Sequence, residues 1–243
     1  MKAFQLGVFT CTKKLGQGVS GVVYKAHRTI KESEAKQLEP LMIEQLIEDD
    51  ARETVHKNID YGQKVAIKVF YDDYRHVFEN ELGVYSKAKG AGLIQCFGYY
   101  RDLPFVKDNG EEFQLNCLIL EYAANGEFFD FVEKGPLPEH IARYYFKNIA
   151  KAVHCLHSHG FAHYDIKTEN IFVNGYYDLK LGDFGVTRRM NQTPPKSIGT
   201  RNYLAPEYHV NEHFSAVSGD IFSLGVVLFI LVMGHPPFNL ANK

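Results

Sequence analysis

The stretch HYDIKTEN at residues 163–170, followed by DFG at residues 183–185, decides the fold of this chain. Asp165 can accept the proton of a hydroxyl group, and Lys167 can neutralise a phosphoryl group during transfer. Asn170 and the aspartate of DFG offer hard oxygen atoms, which are the ligands that Mg2+ prefers. Each of these side chains alone would be an ordinary surface-loop residue. Their order and spacing together predict a site for phosphoryl transfer.

A glycine-rich stretch, LGQGVSGVV at residues 15–23, precedes this site in the chain. Gly16, Gly18 and Gly21 have the spacing that lets a backbone fold closely over phosphates, with its N–H groups as donors. A plain hairpin turn is the alternative interpretation. A dinucleotide-binding fold would need a helix directly after the glycines, whereas VVY at residues 22–24 predicts a strand. We therefore expect a strand–turn–strand cover for phosphates.

The stretch VAIK at residues 65–68 places Lys68 among apolar neighbours. A lysine there is costly to bury without an anionic partner. Glu81, on the next predicted helix, is the candidate carboxylate, and the pair would hold the α- and β-phosphates of a nucleotide. Glu79 is a competitor but lies on a different helix face. A strand lysine with its ammonium group in water is the alternative.

The pattern of predicted elements changes along the chain. Alternating apolar residues predict strands in the first half, and apolar residues at helical spacing predict helices in the second. The predicted strands are 9–15, 22–26, 63–71, 93–100 and 113–120, and the predicted helices are 74–89, 128–133, 139–159 and 220–233. This order predicts an α+β fold with two lobes and a cleft between them. An antiparallel sheet plus one helix occupies residues 1–120, a linker follows at 121–126, and residues 127–243 are mainly helical.

An acidic insertion of about residues 28–61 separates the second and third predicted strands and is far longer than a hairpin loop. Apolar and polar residues within it recur at helical spacing. These positions are Leu38, Leu41, Met42, Gln45, Leu46 and Asp49. We expect a surface helix that rests on its own domain, and a docking element for a partner chain is the alternative.

Composition limits the class of partner. The 243 residues are 45% hydrophobic, enough for a sizeable core, and the formal net charge is −2. The chain lacks the basic character of proteins that bind nucleic acid or anionic membranes, so neither is expected as a partner.

The longest apolar stretch, 224–233, falls short of the roughly 18 residues of a membrane span, and a buried helix is predicted there.

The cysteines indicate a reducing compartment. Cys11, Cys96, Cys117 and Cys155 are widely spread, without the paired spacing of a zinc site. The first residues lack the pattern of a signal peptide. We therefore expect an intracellular location, cytoplasmic or nuclear.

Two further stretches make a family resemblance explicit: GTRNYLAPE at residues 199–207 and DIFSLG at residues 220–225. With the motifs above, they make residues 9–238 resemble the catalytic domain of eukaryotic protein kinases, serine/threonine type. Small-molecule kinases of the choline or aminoglycoside type share the aspartate-to-asparagine loop but lack the Ala-Pro-Glu segment.

The resemblance implies transfer of the γ-phosphate of Mg-ATP to serine or threonine hydroxyls of protein substrates. It gives catalytic roles to Asp165, Lys167, Lys68 and Glu81, and metal binding to Asn170 and Asp183. It also implies a set of nucleotide-binding residues. These are Gly16, Gly18 and Gly21 over the phosphates, Leu15, Val23, Ala66 and Phe172 around the adenine, the backbone of Glu121 and Ala123 at its edge, Lys68 at the phosphates, and Leu120 as gatekeeper.

Three more positions take roles from the resemblance. Thr200 is expected to support the catalytic loop, residues 163–170, near Asp165 and Lys167. Glu127 and Glu169 match acidic positions with which several relatives grip arginine, so we expect a preference for Arg or Lys a few residues before the acceptor. Solvated surface glutamates are the alternative.

Two departures concern regulation. Tyr164 replaces the arginine that commonly binds a phosphate on the activation segment, which corresponds to residues 183–207. Lys196 lies three residues before Gly199, where many relatives carry a phosphorylated threonine. We therefore expect little dependence on phosphorylation of this segment. Ser197, Thr193 and Thr200 are the alternative sites, and Arg188 and Arg189 can still bind a phosphate on Ser197.

A third departure is the short C-terminus. The chain stops at Lys243, soon after GHPPF at residues 234–238, so the resemblance implies a truncated C-lobe and no arginine partner for Glu207. We expect the helix at 221–233 to be partly uncovered and to offer a surface to a partner chain. A pseudokinase or truncated regulatory fragment acting as a binding scaffold is the alternative function. The presence of all the phosphoryl-transfer residues argues against it.

Overall fold

The computed structural model describes residues 3–29, 41–42, 60, 62–107, 109–192, 199–209 and 215–238. The chain forms two compact units, the first made of Met1–Ser86 and Gln95–Tyr122 and the second of Lys87–Ile94 and Ala123–Lys243. The linker and lobe boundaries expected at residues 120 and 127 stay predictions.

The first unit is built on one antiparallel sheet of seven strands, in the order β1-β2-β3-β5-β7-β6-β4. The strands are β1 (Phe4–Leu6), β2 (Phe9–Gln17), β3 (Gly21–Arg28), β4 (Leu41–Met42), β5 (Lys64–Phe70), β6 (Cys96–Val106) and β7 (Glu112–Glu121). A short 3-10 turn at Asp72–Tyr74 leads into helix α1 (Arg75–Lys87). The predicted sheet with one helix is therefore confirmed.

Side chains alternate along each strand, so the two faces of the sheet have different surroundings. One face buries a core that includes Cys11, Ile67, Cys117 and Ile119. The opposite face of β5 carries Lys68 and, beside it, Phe70, which packs on Phe78 of α1 with ring centroids 5.5 Å apart. Lys68 therefore points to the same side as α1.

Strand β1 was not predicted. It pairs with β2 in register Leu6↔Phe9. The Val8 N–H donates to Tyr100 Oη on β6 at 3.2 Å, and both Leu6 and Val8 are fully buried. The N-terminal hairpin thus closes the core on the face opposite α1.

Within the acidic insertion, the predicted helix is wrong at the two positions that the structure describes. Leu41–Met42 forms strand β4, which pairs with Tyr99 and Gly98 of β6. The free edge of β6 offers backbone hydrogen bonds, and such tertiary pairing overrides local periodicity. The rest of the predicted helix lies outside the described residues.

The second unit is mainly helical, as predicted. Its helices are α2 (Phe129–Val132), α3 (Glu139–Ser158) and α4 (Ala216–Met233). Two small strand pairs join β9 (Ile171–Val173) to β10 (Leu179–Leu181), and β8 (Phe161–Ala162) to β11 (Arg188–Arg189). These short strands were not predicted.

Helix α4 begins four residues earlier than predicted. The side chain of Ser215 caps it by accepting the Ser218 N–H at 3.3 Å, and Gly234 ends it in the left-handed conformation, at φ 75°. Within the described residues, α4 is the one helix long and apolar enough, by length and composition, to cross a membrane, and half of it is buried. The buried Asp220 in its second turn fits a core helix.

One side of α4 is open within the described part of the second unit. Ile221, Val232 and Met233 are 54%, 45% and 48% exposed. The aromatic ring of Phe222 stacks on Phe238 with centroids 6.0 Å apart. The predicted uncovered stripe is therefore present among these residues.

Candidate functional site

The glycine-rich turn joins β2 to β3. The Gly18 N–H donates to the Gly21 carbonyl at 2.9 Å. A Cβ atom at Gly21 would lie 2.1 Å from the Val69 carbonyl oxygen, so β3 reaches β5 here only with glycine. A Cβ atom at Gly16 or Gly18 would meet no other atom within 4 Å.

The structure brings Lys68 and Glu81 together. Lys68 Nζ lies 2.5 Å from Glu81 Oε1, and the two side chains are 10% and 0% exposed. A buried ion pair loses much of its attraction to desolvation, yet removing one partner leaves an uncompensated buried charge. This ion pair therefore joins the sheet to α1, and removal of either Lys68 or Glu81 is expected to destabilise the first unit.

The predicted adenine-binding residues are divided between the two units. In the first unit, Val23 pairs with Lys68 across β3 and β5, while Leu15 on β2 is 40% exposed. Ala66 pairs with the predicted gatekeeper Leu120, and both side chains are buried. These contacts put Ala66 and Lys68 on one face, and adenine binding stays a prediction.

The predicted hinge residues keep one donor available. The Glu121 N–H donates to the Gln95 carbonyl at 2.8 Å, and the Ala123 carbonyl accepts the Gly126 N–H at 3.3 Å. The Ala123 N–H makes no hydrogen bond within the described part of the chain. In the second unit, Phe172 lies on β9, bridged to Glu127.

The carboxylate of Asp165 is held on both oxygen atoms. Oδ1 accepts the backbone N–H of Thr200 at 2.9 Å and its hydroxyl at 3.2 Å. Oδ2 accepts Asn170 Nδ2 at 2.9 Å and lies 3.0 Å from Lys167 Nζ. Lys167 also donates to the Thr200 hydroxyl at 2.8 Å, so the expected support from Thr200 is confirmed.

The amide of Asn170 is held through its nitrogen, and metal binding by this residue stays a prediction. Its amide nitrogen donates to the Asp165 carbonyl at 2.8 Å as well as to the carboxylate. The nitrogen is therefore engaged on the Asp165 side, and Oδ1 remains as the oxygen that Mg2+ prefers. The Asn170 carbonyl accepts the Gly182 N–H at 3.0 Å, which ties this residue to the DFG stretch.

The DFG stretch is fixed by the catalytic loop. The His163 ring contacts the Gly182 carbonyl at 3.0 Å and meets the fully buried Phe184 edge-to-face. Asp183 has φ 57°, a left-handed conformation that aspartate tolerates better than most residues. This backbone geometry redirects the chain at the predicted metal ligand.

Asp220, the first residue of the DIFSLG motif, is a positioning residue whose role the motif alone does not reveal. Its carboxylate accepts the backbone N–H groups of His163 and Tyr164 at 2.8 and 2.9 Å. His157 Nε2 lies 2.7 Å from the same carboxylate. A carboxylate inside the apolar helix α4 was the signal, since a buried charge needs such partners.

Tyr164 sits where the resemblance places an arginine, and it is nearly fully buried. It has φ 65° and packs with Ala162 and Ala216, with Met190 and Tyr208 against them. Burial raises the pKa of the Tyr164 phenol, so it stays neutral at physiological pH. An apolar cluster therefore occupies this position.

The carboxylate of Glu169 lies close enough to Glu127 to affect the pKa of Glu127. Burial raises the pKa of Glu127, and the nearby carboxylates of Asp130 and Glu169 raise it further. Lys167 acts in the opposite direction. Glu127 thus lies close to Glu169 and Lys167 of the catalytic loop.

These features together define a protein kinase domain. The family model for the protein kinase domain matches residues 50–243, and the chain belongs to this family. It is 33% identical over 194 residues to CBL-interacting serine/threonine-protein kinase 18 of Arabidopsis thaliana, covering 76% of this chain and 36% of the relative. It is 32% identical over 222 residues to serine/threonine-protein kinase PKH2 of Saccharomyces cerevisiae, covering 82% of this chain and 20% of the relative.

A protein kinase of rice is similar to this chain over a comparable length. CBL-interacting protein kinase 19 of Oryza sativa subsp. japonica is 30% identical over 197 residues, covering 76% of this chain and 37% of the relative. The chain thus spans less than two fifths of the length of these curated relatives.

Proposed function

We propose that this chain transfers the γ-phosphate of Mg-ATP to serine or threonine hydroxyls of protein substrates. The observation that carries the proposal is the Asp165 carboxylate, held on both oxygens by Thr200, Asn170 and Lys167. A carboxylate fixed in this way can receive a proton at one defined place. Positioning and charge stabilisation supply most of the catalysis in phosphoryl transfer.

The reaction forms a bond between the substrate hydroxyl oxygen and the γ-phosphorus and breaks the β–γ phosphoanhydride bond. ADP leaves with the bridging oxygen, and the hydroxyl proton goes to Asp165. Lys167 stabilises charge on the transferring group, and Lys68, held by Glu81, binds the α- and β-phosphates. Asn170 and Asp183 would hold Mg2+, which neutralises charge on the phosphates.

Asp165→Asn tests this assignment. The amide cannot accept the proton, so we expect kcat to fall by about a hundredfold or more while ATP affinity is retained. Asp178→Asn, in the exposed β9–β10 turn, is the matched control. Phosphate incorporation into a generic basic protein and fluorescence binding of ATP measure the two effects. Unchanged turnover in Asp165→Asn would refute the mechanism, and wild-type ATP binding without transfer would favour the scaffold alternative.

We also propose that the protein substrate carries Arg or Lys a few residues before the acceptor. This preference is supported by the proximity of Glu127, Asp130 and Glu169. Both neighbouring carboxylates raise the pKa of Glu127. Carboxylates lining a groove attract guanidinium groups and disfavour acidic sequences. A peptide-library screen tests it, and selection of acidic or proline-directed peptides would contradict it.

An intracellular location, cytoplasmic or nuclear, is part of the same proposal. The four cysteines are free thiols, and Cys11, Cys96 and Cys117 are buried in the first unit. Unpaired thiols persist in reducing compartments. Imaging of the tagged full-length protein tests this location.

A further inference from the structure

A pair of buried hydroxyl groups lies behind Glu169. Thr168 Oγ1 lies 3.1 Å from Tyr203 Oη and donates to Glu169 Oε2 at 3.1 Å. Tyr203 Oη donates to the same carboxylate oxygen at 3.4 Å. Thr168 is fully buried, Tyr203 nearly so, and Glu169 is half-buried. Both hydroxyls therefore act on the inner side of a carboxylate whose outer side can reach solvent.

Both hydroxyls are placed to donate to the same carboxylate oxygen, which can only accept in these contacts. Thr168 donates to Glu169 Oε2 at the shorter distance and Tyr203 donates at the longer one. Either hydroxyl can be the donor in the contact between them. Thr168 and Tyr203 therefore hold one oxygen of Glu169 as a connected group.

Tyr203 is itself anchored at its backbone. Its N–H donates to the Thr200 carbonyl at 2.8 Å, and its carbonyl accepts the hydroxyl of Ser223 on α4 at 2.8 Å. Glu169 Oε1 makes no hydrogen bond within the described part of the chain. One carboxylate oxygen is thus fixed to the fold, and the other is left for an external cation.

We propose that Thr168 and Tyr203 are positioning residues that aim the Glu169 carboxylate at the basic residue of a protein substrate. This inference rests on the proposed preference for Arg or Lys before the acceptor. A flexible glutamate loses rotamer freedom when it binds a cation, whereas a glutamate fixed in advance loses less. The two hydroxyls therefore contribute to substrate selectivity without touching the substrate.

The test compares two serine peptides that differ only in having Arg or Ala at the second and third residues before the acceptor. Their dissociation constants are measured by fluorescence anisotropy, and kcat and KM are measured separately. The variants are Thr168→Val, which keeps the shape but removes the hydroxyl, and Thr168→Ser, which keeps the hydroxyl. Glu169→Gln sets the largest effect that the loss of this carboxylate can produce.

We expect wild type to bind the Arg peptide about fivefold or more tightly than the Ala peptide. In Thr168→Val this ratio falls by about threefold or more, because a hydrogen bond to a charged group is lost. The loss appears in the KM for the Arg peptide, not in the KM for ATP. Thr168→Ser restores the ratio. Adding Thr168→Val to Glu169→Gln lowers the ratio no further, because both changes act through one carboxylate.

A purely structural role of Thr168 would weaken both peptides equally, and that result overturns the inference. An unchanged ratio in Thr168→Val, or no rescue by serine, overturns it as well. If Thr168→Val does not fold, Tyr203→Phe decides, with a smaller drop in the ratio expected and an unchanged ratio contradicting the inference. A wild-type protein without any Arg preference would instead refute the proposed substrate preference on which the inference rests.

Discussion

At the scale of single residues, the carboxylates around the catalytic loop differ in their surroundings. Asp165 is enclosed by amide, hydroxyl and ammonium donors. Glu127 is instead partly buried near Asp130 and Glu169, and burial and like charges together raise its pKa. The fold therefore opposes the charge of Glu127, which is expected of a group kept for an external cation.

Glu127→Gln should stabilise the protein at neutral pH. The variant removes a charge that burial and two neighbouring carboxylates disfavour, so we expect a melting midpoint about one to three degrees higher at pH 7. A raised pKa means that the cost of the charge is absent below the ordinary glutamate value of about 4.3 and appears as pH rises through the folded-state pKa. The difference from wild type should therefore vanish in acid. Melting curves between pH 4 and 8 measure it.

The exposed Glu133, at the end of α2, provides the matched control, and Glu133→Gln should change the midpoint little at any pH. A midpoint for Glu127→Gln at or below that of wild type at pH 7 would contradict the prediction.

At the scale of elements, the first part of the activation segment, residues 183–192, packs near the catalytic loop. Strand β11 pairs with β8, and the half-buried Val186 and Met190 pack on the cluster around Tyr164. Burial lowers the pKa of Arg188, whose guanidinium donates to the carbonyls of Gly185 and Thr187. This anchoring requires no phosphate. Lys196 and Ser197 lie outside the described residues.

Activity should therefore depend little on phosphorylation of the activation segment. Phosphatase treatment should lower kcat/KM by less than about tenfold, which corresponds to roughly 1.4 kcal/mol. Ser197→Ala and Thr193→Ala should behave like wild type. Kinase assays on treated and untreated protein measure the effect, and a larger loss after treatment or in Ser197→Ala would reveal a phosphate switch.

The individual strands and helices show how much of the fold can be predicted from the sequence. Strands β2, β3 and β5 follow from alternation and turn composition, and α3 from helical periodicity, because these signals are local. Strand β4 does not, since its partner Tyr99 lies far along the chain. The residues of the Asp165 site came from motifs. Thr168 and Tyr203 lie in the same motifs, but no local signal predicts that they contact each other. Their contact joins positions 35 residues apart and exists only after folding.

At the scale of the whole molecule, helix α4 has two sides with different roles. Its buried side carries Asp220 and Ser223, which bind the catalytic loop and Tyr203. Its other side exposes an apolar stripe within the described part of the second unit. The stripe consists of Val217, Ile221, Leu228 and Val232 at helical spacing, with Met233 at its end. Exposed apolar patches promote association.

We expect the 243-residue chain to self-associate as its concentration rises. Ile221→Lys combined with Val232→Lys should shift the population toward monomer, because it places charge on the stripe. Light scattering after size-exclusion chromatography measures the mass. Tyr176→Lys, at an 88% exposed position in the β9–β10 turn, is the control and should change nothing. A wild-type chain that stays monomeric at high concentration would contradict this prediction.

The buried cysteines of the first unit make the opening of its sheet measurable by chemical labelling. The thiolate is the form that alkylating reagents attack. Burial raises the pKa of Cys11 to about 12 and also raises the pKa of Cys117, so both are unreactive while the sheet is closed. Cys155, in the second unit, is only half-buried. Iodoacetamide should therefore label Cys155 in the native protein, whereas Cys11 and Cys117 become labelled together, at the rate at which the sheet opens.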